Sequence, residues 1–410
     1  MNIEWYIARR LLRGDARKSI SVPIVKIATA GIAAGLCVML LSVFVLTGFK
    51  QEITHKLSGF TAHFTIEPFP LAENNEIGNA IQESHQLAKR LKKLHEVHQA
   101  YPYIERPAIF KSQDEIHGVL TKGVDTLYDW SFFQRHLIAG RIPDFKGEDV
   151  SNEILLSNTA ANYLKIQPGE RLTAHFVQDP PRMRRFTVVG IYDTGFKEYD
   201  DVMVIVDRRH LMKLNNWQAD EASGIAIELN NVEQLETAWE KIENTIHETG
   251  SHYTIRTLRD EAPQIFDWLQ LLNMNVWVIL ILIVSVAGFN MVSGLLILIL
   301  DKTTLIGLLK ALGLPNVSLR RLFLYVASGL IARGMLWGNI VAFTLAGIQH
   351  AFHPIKLDPT TYYMSTVPIH FNGWFILILN AGVILVTVIM LIVPTMLISR
   401  IHPVKAIRYE

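Results

Sequence analysis

Pro180 and Pro181 run straight into Arg182, Arg184 and Arg185, so three cations sit beside two stiff residues. The apolar alternation of Leu172 to Val177 and of Phe186 to Ile191 reads as two paired strands. Gln178 to Arg185 then forms the tip of a hairpin. Prolines restrict the shape of such a tip, and guanidinium groups bond well to carboxylates and carbonyls. Two readings stand: a docking tip for an acidic or carbonyl-rich partner, or a solvated loop kept soluble by its arginines.

A second stretch with partner-binding chemistry is Asp301 to Pro315. Leu305, Leu308, Leu309 and Leu312 follow helical spacing, and Gly313 and Pro315 are stop signals. A short amphipathic helix of this kind either lies on lipid or enters a groove of a partner. Residues 3–13 carry Ile3, Ile7 and Leu11 on one stripe with Arg9, Arg10 and Arg13 elsewhere, which suits a helix lying flat at an interface. Arg333 falls about 12 residues into an apolar run, roughly 18 Å by helix rise. Such a charge faces a bundle interior or wet cavity, or else snorkels to the interface. His95 with His98, and His350 with His353, supply two potential metal ligands per segment and no carboxylate at ligand spacing, which favours structural or solvated histidines. Neither G-x-x-x-x-G-K-[ST], G-x-S-x-G nor H-E-x-x-H occurs. The chain is therefore expected not to be an enzyme, and to hold no metal or cofactor of its own.

These segments are positioned by four long apolar runs. The first spans 27–47 and is rich in small residues, among them Ala28, Ala30, Gly31, Ala33, Ala34 and Gly35. Some 26 residues precede it, too long a lead for an ordinary signal peptide, so it reads as an uncleaved anchor. The second lies within 271–300, the third in 322–348 and the fourth in 373–398. Each is long enough to cross about 30 Å of hydrocarbon, and thirty residues in the second allow it to project further. The fold class is thus an α-helical membrane protein with four transmembrane helices and a large extracytoplasmic α+β domain at 48–268. Lys and Arg concentrate in 1–26, 301–321 and 399–410, whereas loop 349–372 holds only Lys356. The positive-inside rule then puts both termini in the cytoplasm. The 48–268 segment has 24 basic and 33 acidic residues, while the whole chain has a net charge of +1. Cys37 is the only cysteine, so no disulfide forms within the chain.

The outer segment reads as strand (Thr61 to Ile66), helix (Ile77 to Val97) and strand (Ala108 to Lys111). The pattern returns as strand (Gly224 to Leu229), helix (Val232 to His247) and strand (Tyr253 to Thr257). Two βαβ-type units bracketing an insert give a discontinuous α/β subdomain, 48–111 with 223–268, around a mostly-β insert at 112–222.

One span, a large outer domain and three further spans resemble the ABC-transporter permeases of the macrolide-exporter and FtsX class. The local residues resemble its lipoprotein-releasing branch, the LolC/LolE family. They are Ile7-Ala8-Arg9-Arg10-Leu11-Leu12, Thr47 to Ile53, Gly123-Val124-Asp125 with Gly140-Arg141, Ala287 to Leu295, Ile306 to Gly313, and Pro403 to Glu410. The resemblance implies a second permease subunit and a cytoplasmic ATPase that holds ATP and Mg. It makes Leu305, Ile306, Leu308, Leu309, Lys310 and Leu312 the contact with that ATPase. It also implies an acylated lipoprotein entering a cavity open to membrane lipid, with Leu40, Phe44, Leu46, Phe49, Leu272, Met274, Val276 and Val278 as acyl contacts. A periplasmic carrier would meet the hairpin at Pro180, Pro181, Arg182, Arg184 and Arg185. Localisation would be the bacterial inner membrane, with no nucleic-acid partner. Mechanotransmission, or FtsX-like control of cell-wall hydrolases, is the alternative.

Overall fold

The computed structural model describes residues 3–13, 21–69, 80–113, 115–178, 180–231, 234–249 and 253–397. The closing motif at Pro403 to Glu410, the 399–410 tail, and residues 77–79 and 232–233 of the expected helices lie outside them. The chain divides into two compact units. One comprises Met1–Gln51, Trp268–Lys356 and Val367–Glu410; the other comprises Glu52–Asp267 and Leu357–Thr366.

The first unit is helical. Helix α1 (Ile3–Arg13) precedes α2 (Ser21–Thr61). The candidate spans are Lys26–Thr61 in α2, Pro263–Asp301, Asn316–Phe352 and Gly373–Met396. We call the last three helices α10 (Pro263–Asp301), α12 (Asn316–Phe352) and α14 (Gly373–Leu397); the short α11 (Thr303–Ala311) joins α10 to α12. At about 1.5 Å per residue, the 41 residues of α2 reach far beyond a bilayer core. The first strand expected at Thr61 is therefore displaced, because the helix continues to that residue. Leu36, Leu40 and Phe44 of α2 pack with Leu295 of α10 and with Leu322 and Phe323 of α12 in one core. Small residues set the close approach. A Cβ on Gly334 would lie 2.9 Å from Ile32 Cβ, and one on Gly338 would lie 2.8 Å from the Ala33 carbonyl oxygen. Between α12 and α14, Asn339 Nδ2 donates to Asn380 Oδ1 at 2.8 Å. Ile7 and Leu11 of α1 lean on the same core, with Ala8 buried in it.

The second unit is built on strands and helices whose ranges follow in chain order. They are β1 (Phe64–Pro68), α3 (Ser84–Leu91), β2 (Val97–Lys111), β3 (Ile116–Val124), α4 (Ser131–Arg135), β4 (Leu137–Gly140), β5 (Glu153–Ser157), α5 (Asn158–Leu164), β6 (Arg171–Phe176) and β7 (Arg182–Tyr192). Then come α6 (Lys197–Asp200), β8 (Met203–Asp207), α7 (Arg208–Asn215), β9 (Gly224–Leu229), α8 (Leu235–His247), β10 (Tyr253–Thr257) and α9 (Leu258–Glu261). The strand order is β10-β1-β9-β2-β3-β8-β5-β7-β4, with β6 bridging β2 and β7. In its first four strands each neighbouring pair is antiparallel. The units β1-α3-β2 and β9-α8-β10 are thus split βαβ units, each separated by a strand of the other. Ile66, Leu87, Leu91, Ile227 and Ile242 fill their common core.

Strand β2 starts at Val97, not Ala108, and the helix before it is shorter than the 77–97 expected. Leu87, Leu91 and Leu94 extend a helical period toward a strand that Pro102 and Pro107 disguise. One half of β2 pairs with β9 and the other with β3, so this strand runs through both halves of the sheet. The insert carries β3 to β8 and also four short helices, α4 to α7. Residues Leu357–Thr366, which carry the short α13 (Pro359–Tyr362) before α14, fold with this unit: Lys56 Nζ donates to the Tyr363 carbonyl at 3.3 Å.

Candidate functional site

Helix α11 is apolar around most of its circumference, and its folded position separates two faces. Ile306 is fully buried and Leu309 leans on the helical core. Leu308 and Leu312, one turn apart, are 52% and 76% exposed. Leu305 and Lys310 are half-buried at the border. Two of the six residues expected to meet an ATPase, Ile306 and Leu309, therefore face their own bundle. Spacing alone does not separate the faces, because leucine-type side chains occupy both.

The expected acyl contacts divide in the same way. Leu40, Phe44 and Phe49 are buried within the unit. Phe44 meets the Phe371 ring edge-on at 5.1 Å, and Phe49 meets Trp268 at 6.1 Å. These three are packing residues, not an open surface. Leu46, Leu272 and Val276 are half-buried. Met274 and Val278 are each 57% exposed on α10. Leu271, Ile281 and Leu282, which the sequence reading left out, extend the same exposed stripe. The i, i+3, i+7, i+10 spacing from Leu271 through Met274 and Val278 to Ile281 would have found it.

In the hairpin, β6 pairs with β7 from Arg171↔Thr187 to Phe176↔Arg182. The tip is therefore 177–181, and Arg182, Arg184 and Arg185 lie in a strand. Arg182 is turned onto the end of α7. It donates to the carbonyls of Lys213 at 2.8 Å and Leu214 at 3.3 Å, and to Asn216 Oδ1 at 3.3 Å. That is a cation satisfying the last carbonyls of a helix. Arg184 is half-buried, on the β7 face that carries Phe186 and Val188; Arg185 and Met183 are exposed on the other. Pro180, Pro181 and Val177 form the exposed tip. Val177, Pro180 and Pro181 are therefore exposed at the tip, and Arg185 is the outward cation on the strand behind it.

Two polar clusters of the second unit escaped the sequence reading. His85 of α3 stands between Asp125 and Asp220. Lys122 of β3 is buried, donates to the Phe60 carbonyl, lies 3.9 Å from Glu105 and sits 4.9 Å over the Tyr103 ring. Burial lowers the Lys122 pKa, and Glu105 opposes this. Burial also pushes Glu228 up to about 7 and Asp200 up to about 6. Neither cluster has a sequence signature, since its members come from elements far apart in the chain. His95 offers its carbonyl to Asn230, and His98 lies 4.0 Å from Asp129. Among the described residues no three His, Cys, Asp or Glu side chains gather as a metal site.

Comparison with known proteins follows this division of the chain. Residues 27–245 match the family model of the MacB-like periplasmic core domain, and residues 277–403 match that of the FtsX-like permease C-terminal. The lipoprotein-releasing system transmembrane protein LolC of Xylella fastidiosa (strain 9a5c) is 24% identical over 426 residues, covering 98% of each chain. LolE of Haemophilus influenzae is 20% identical over 438 residues, covering 99% of each. The solved periplasmic region of MacB from Actinobacillus actinomycetemcomitans is 15% identical, covers 52% of this chain and 97% of its own, and gives a TM-score of 0.36. With one model over more than half of its length and the other over three of its four apolar spans, the chain belongs to the family of ABC-transporter permeases that join a MacB-like periplasmic core domain to an FtsX-like permease C-terminal, and the relatives it resembles along its whole length are LolC and LolE.

Proposed function

We propose that this chain is the permease subunit of an ABC transporter that extracts lipoproteins from the inner membrane and passes them to a periplasmic carrier. The end-to-end similarity to lipoprotein-releasing transmembrane proteins carries this reading. An ATPase subunit and a second permease subunit complete such a transporter. ATP and Mg belong to that ATPase, and this chain acts through its surfaces alone. The exposed pair Leu308 and Leu312, with Leu305 and Lys310 beside it, is the face offered to the ATPase.

The physical demand agrees with such a division of labour. Burying an acyl chain is worth about 0.8 kcal/mol per CH₂. A multiply acylated protein does not leave a bilayer unaided, so ATP must drive it out. The receiving surface should be apolar and open to lipid, which fits the α10 stripe of Leu271, Met274, Val278 and Ile281. Both termini and α11 are cytoplasmic in this reading, and the second unit is periplasmic. The β6–β7 tip, with Pro180, Pro181 and Arg185, docks the carrier.

A photo-crosslinking side chain at Met274 or Val278 should capture acylated lipoprotein in membranes that also hold the ATPase and second permease. The same probe at the buried Leu40 should not. Absence of capture along the whole α10 stripe would contradict the reading and favour mechanotransmission or hydrolase control.

A further inference from the structure

Asn290 lies in α10 about 11 residues before Asp301, roughly 16 Å by helix rise. That is about half the depth of a ~30 Å hydrocarbon core. Its carboxamide is exposed and makes no hydrogen bond to any described residue. On one side it meets α2, where its Nδ2 lies 3.3 Å from the place a Cβ on Gly31 would take. Val286, Asn290, Ser293, Ile297 and Leu300 are all exposed and recur at steps of four, three, four and three residues. That is a 3.5-residue period, the seam of helices that pack side by side. Met291 and Leu295, from the same stretch, are buried in this chain's own core. Leu271, Met274, Val278 and Ile281, the acyl-facing positions, lie nearer the other end of α10 and outside the seam.

A carboxamide offers N–H donors and an acceptor oxygen, and hydrocarbon satisfies none of them. Asn339 and Asn380 meet that demand by bonding each other across α12 and α14, at 2.8 and 3.3 Å. Asn290 has no such partner among the described residues of its own chain. We infer that the seam from Val286 to Leu300 packs on a membrane-spanning helix of the second permease subunit, which presents a carboxamide or hydroxyl to Asn290. The inference rests on the two-permease reading above and names the surface that joins the pair. Lipid tails would cover Val286, Ile297 and Leu300 equally well, but they would leave the amide unmet. Water in a cavity would meet the amide, but a wetted wall has no need of three large apolar side chains at a packing period. Hydrogen-bonding side chains hold helices together across a bilayer, and one polar residue in an apolar seam fixes its register. Asn290 would thus set the depth at which the two subunits meet.

The test places a photo-crosslinking side chain at single positions of α10 in membranes that hold the complete transporter. Capture of the second permease should be strong at Val286, Ser293 and Ile297 and weak at Met291 and Leu295. Capture of lipid alone along the seam would overturn the proposal. Asn290→Leu should raise the dissociation constant of the two permeases in detergent about fivefold, the scale of one interhelical hydrogen bond. Energy transfer between labelled subunits reads this out, and Asn290→Gln should restore most of the affinity. Equal affinity in wild type and Asn290→Leu would overturn the role of Asn290. If Asn290→Leu fails to fold, the crosslinking pattern still decides. In a Cys37→Ser background, rapid labelling of Asn290→Cys by a water-soluble maleimide would overturn the proposal too, by showing water where the helix should be. If no second permease accompanies the wild type at all, the two-permease reading fails and takes the inference with it; if one does but the seam captures none of it, the inference alone fails.

Discussion

His85 Nε2 lies 2.9 Å from Asp125 Oδ2, a bond that ties α3 to the residue just after β3. The other ring nitrogen, Nδ1, lies 2.7 Å from Asp220 Oδ1. Ionised carboxylates accept and do not donate, so the protonated ring, with a donor at each nitrogen, suits both partners. The bond to Asp125 raises the His85 pKa above 6.5, against burial and the Arg208 charge, with help from Asp220. Arg208 itself lies 3.6 Å from Asp125.

The folded pKa is raised, so the stabilisation is complete below the unfolded value of 6.5 and is lost as pH rises through the folded value. Hydrogen-exchange protection of α3 should therefore fall as pH climbs above 6.5. In His85→Asn the fall should flatten. A pH slope unchanged by that substitution would show that another group controls the junction.

Lys122 joins the last turn of α2 to β3 through the Phe60 carbonyl. Lys122→Met should cost about 2 kcal/mol, because a carbonyl at a helix end loses its donor. Glu105, whose side chain is 31% exposed, softens the loss of its ion pair. Thermal unfolding of the full chain in detergent measures this, and a change below about 0.5 kcal/mol would show that the buried ammonium adds little.

The α11 faces make opposite predictions. Leu308→Asp and Leu312→Asp should leave the helical bundle folded and weaken ATPase binding about tenfold each, the scale of one exposed leucine contact. Ile306→Asp should destabilise the bundle instead, since that side chain is fully buried. Affinity pull-down beside thermal unfolding separates the two effects.

The hairpin arginines also separate. Arg182→Ala should lower protection at the end of α7 by about 1 kcal/mol, because it removes donors from the Lys213 and Leu214 carbonyls. Arg185→Glu should leave α7 unchanged and reduce carrier binding. Hydrogen exchange and a carrier-binding titration read these out; carrier binding equal in Arg185→Glu and wild type would assign the tip to solvent.

Several of these positions were legible in the sequence. The alternation at Gly224 to Leu229 and Tyr253 to Thr257 marks β9 and β10, and the apolar runs mark the four long helices. The start of β2 was not legible, because Leu87, Leu91 and Leu94 hold a helical period up to Val97. Local pattern is silent on which side of an all-apolar helix meets the core, so Ile306 could not be told from Leu308, nor Leu40 from Met274. It is equally silent on pairs such as His85 with Asp220, which only the fold brings together.

The most direct measurement is ATP-dependent release of a triacylated lipoprotein from proteoliposomes containing this chain, its ATPase and its second permease, into a soluble carrier. Release that requires ATP, falls about tenfold with Leu308→Asp at limiting ATPase and drops with Arg185→Glu is the predicted result. ATP hydrolysis without release, across several lipoproteins and carriers, would contradict lipoprotein extraction.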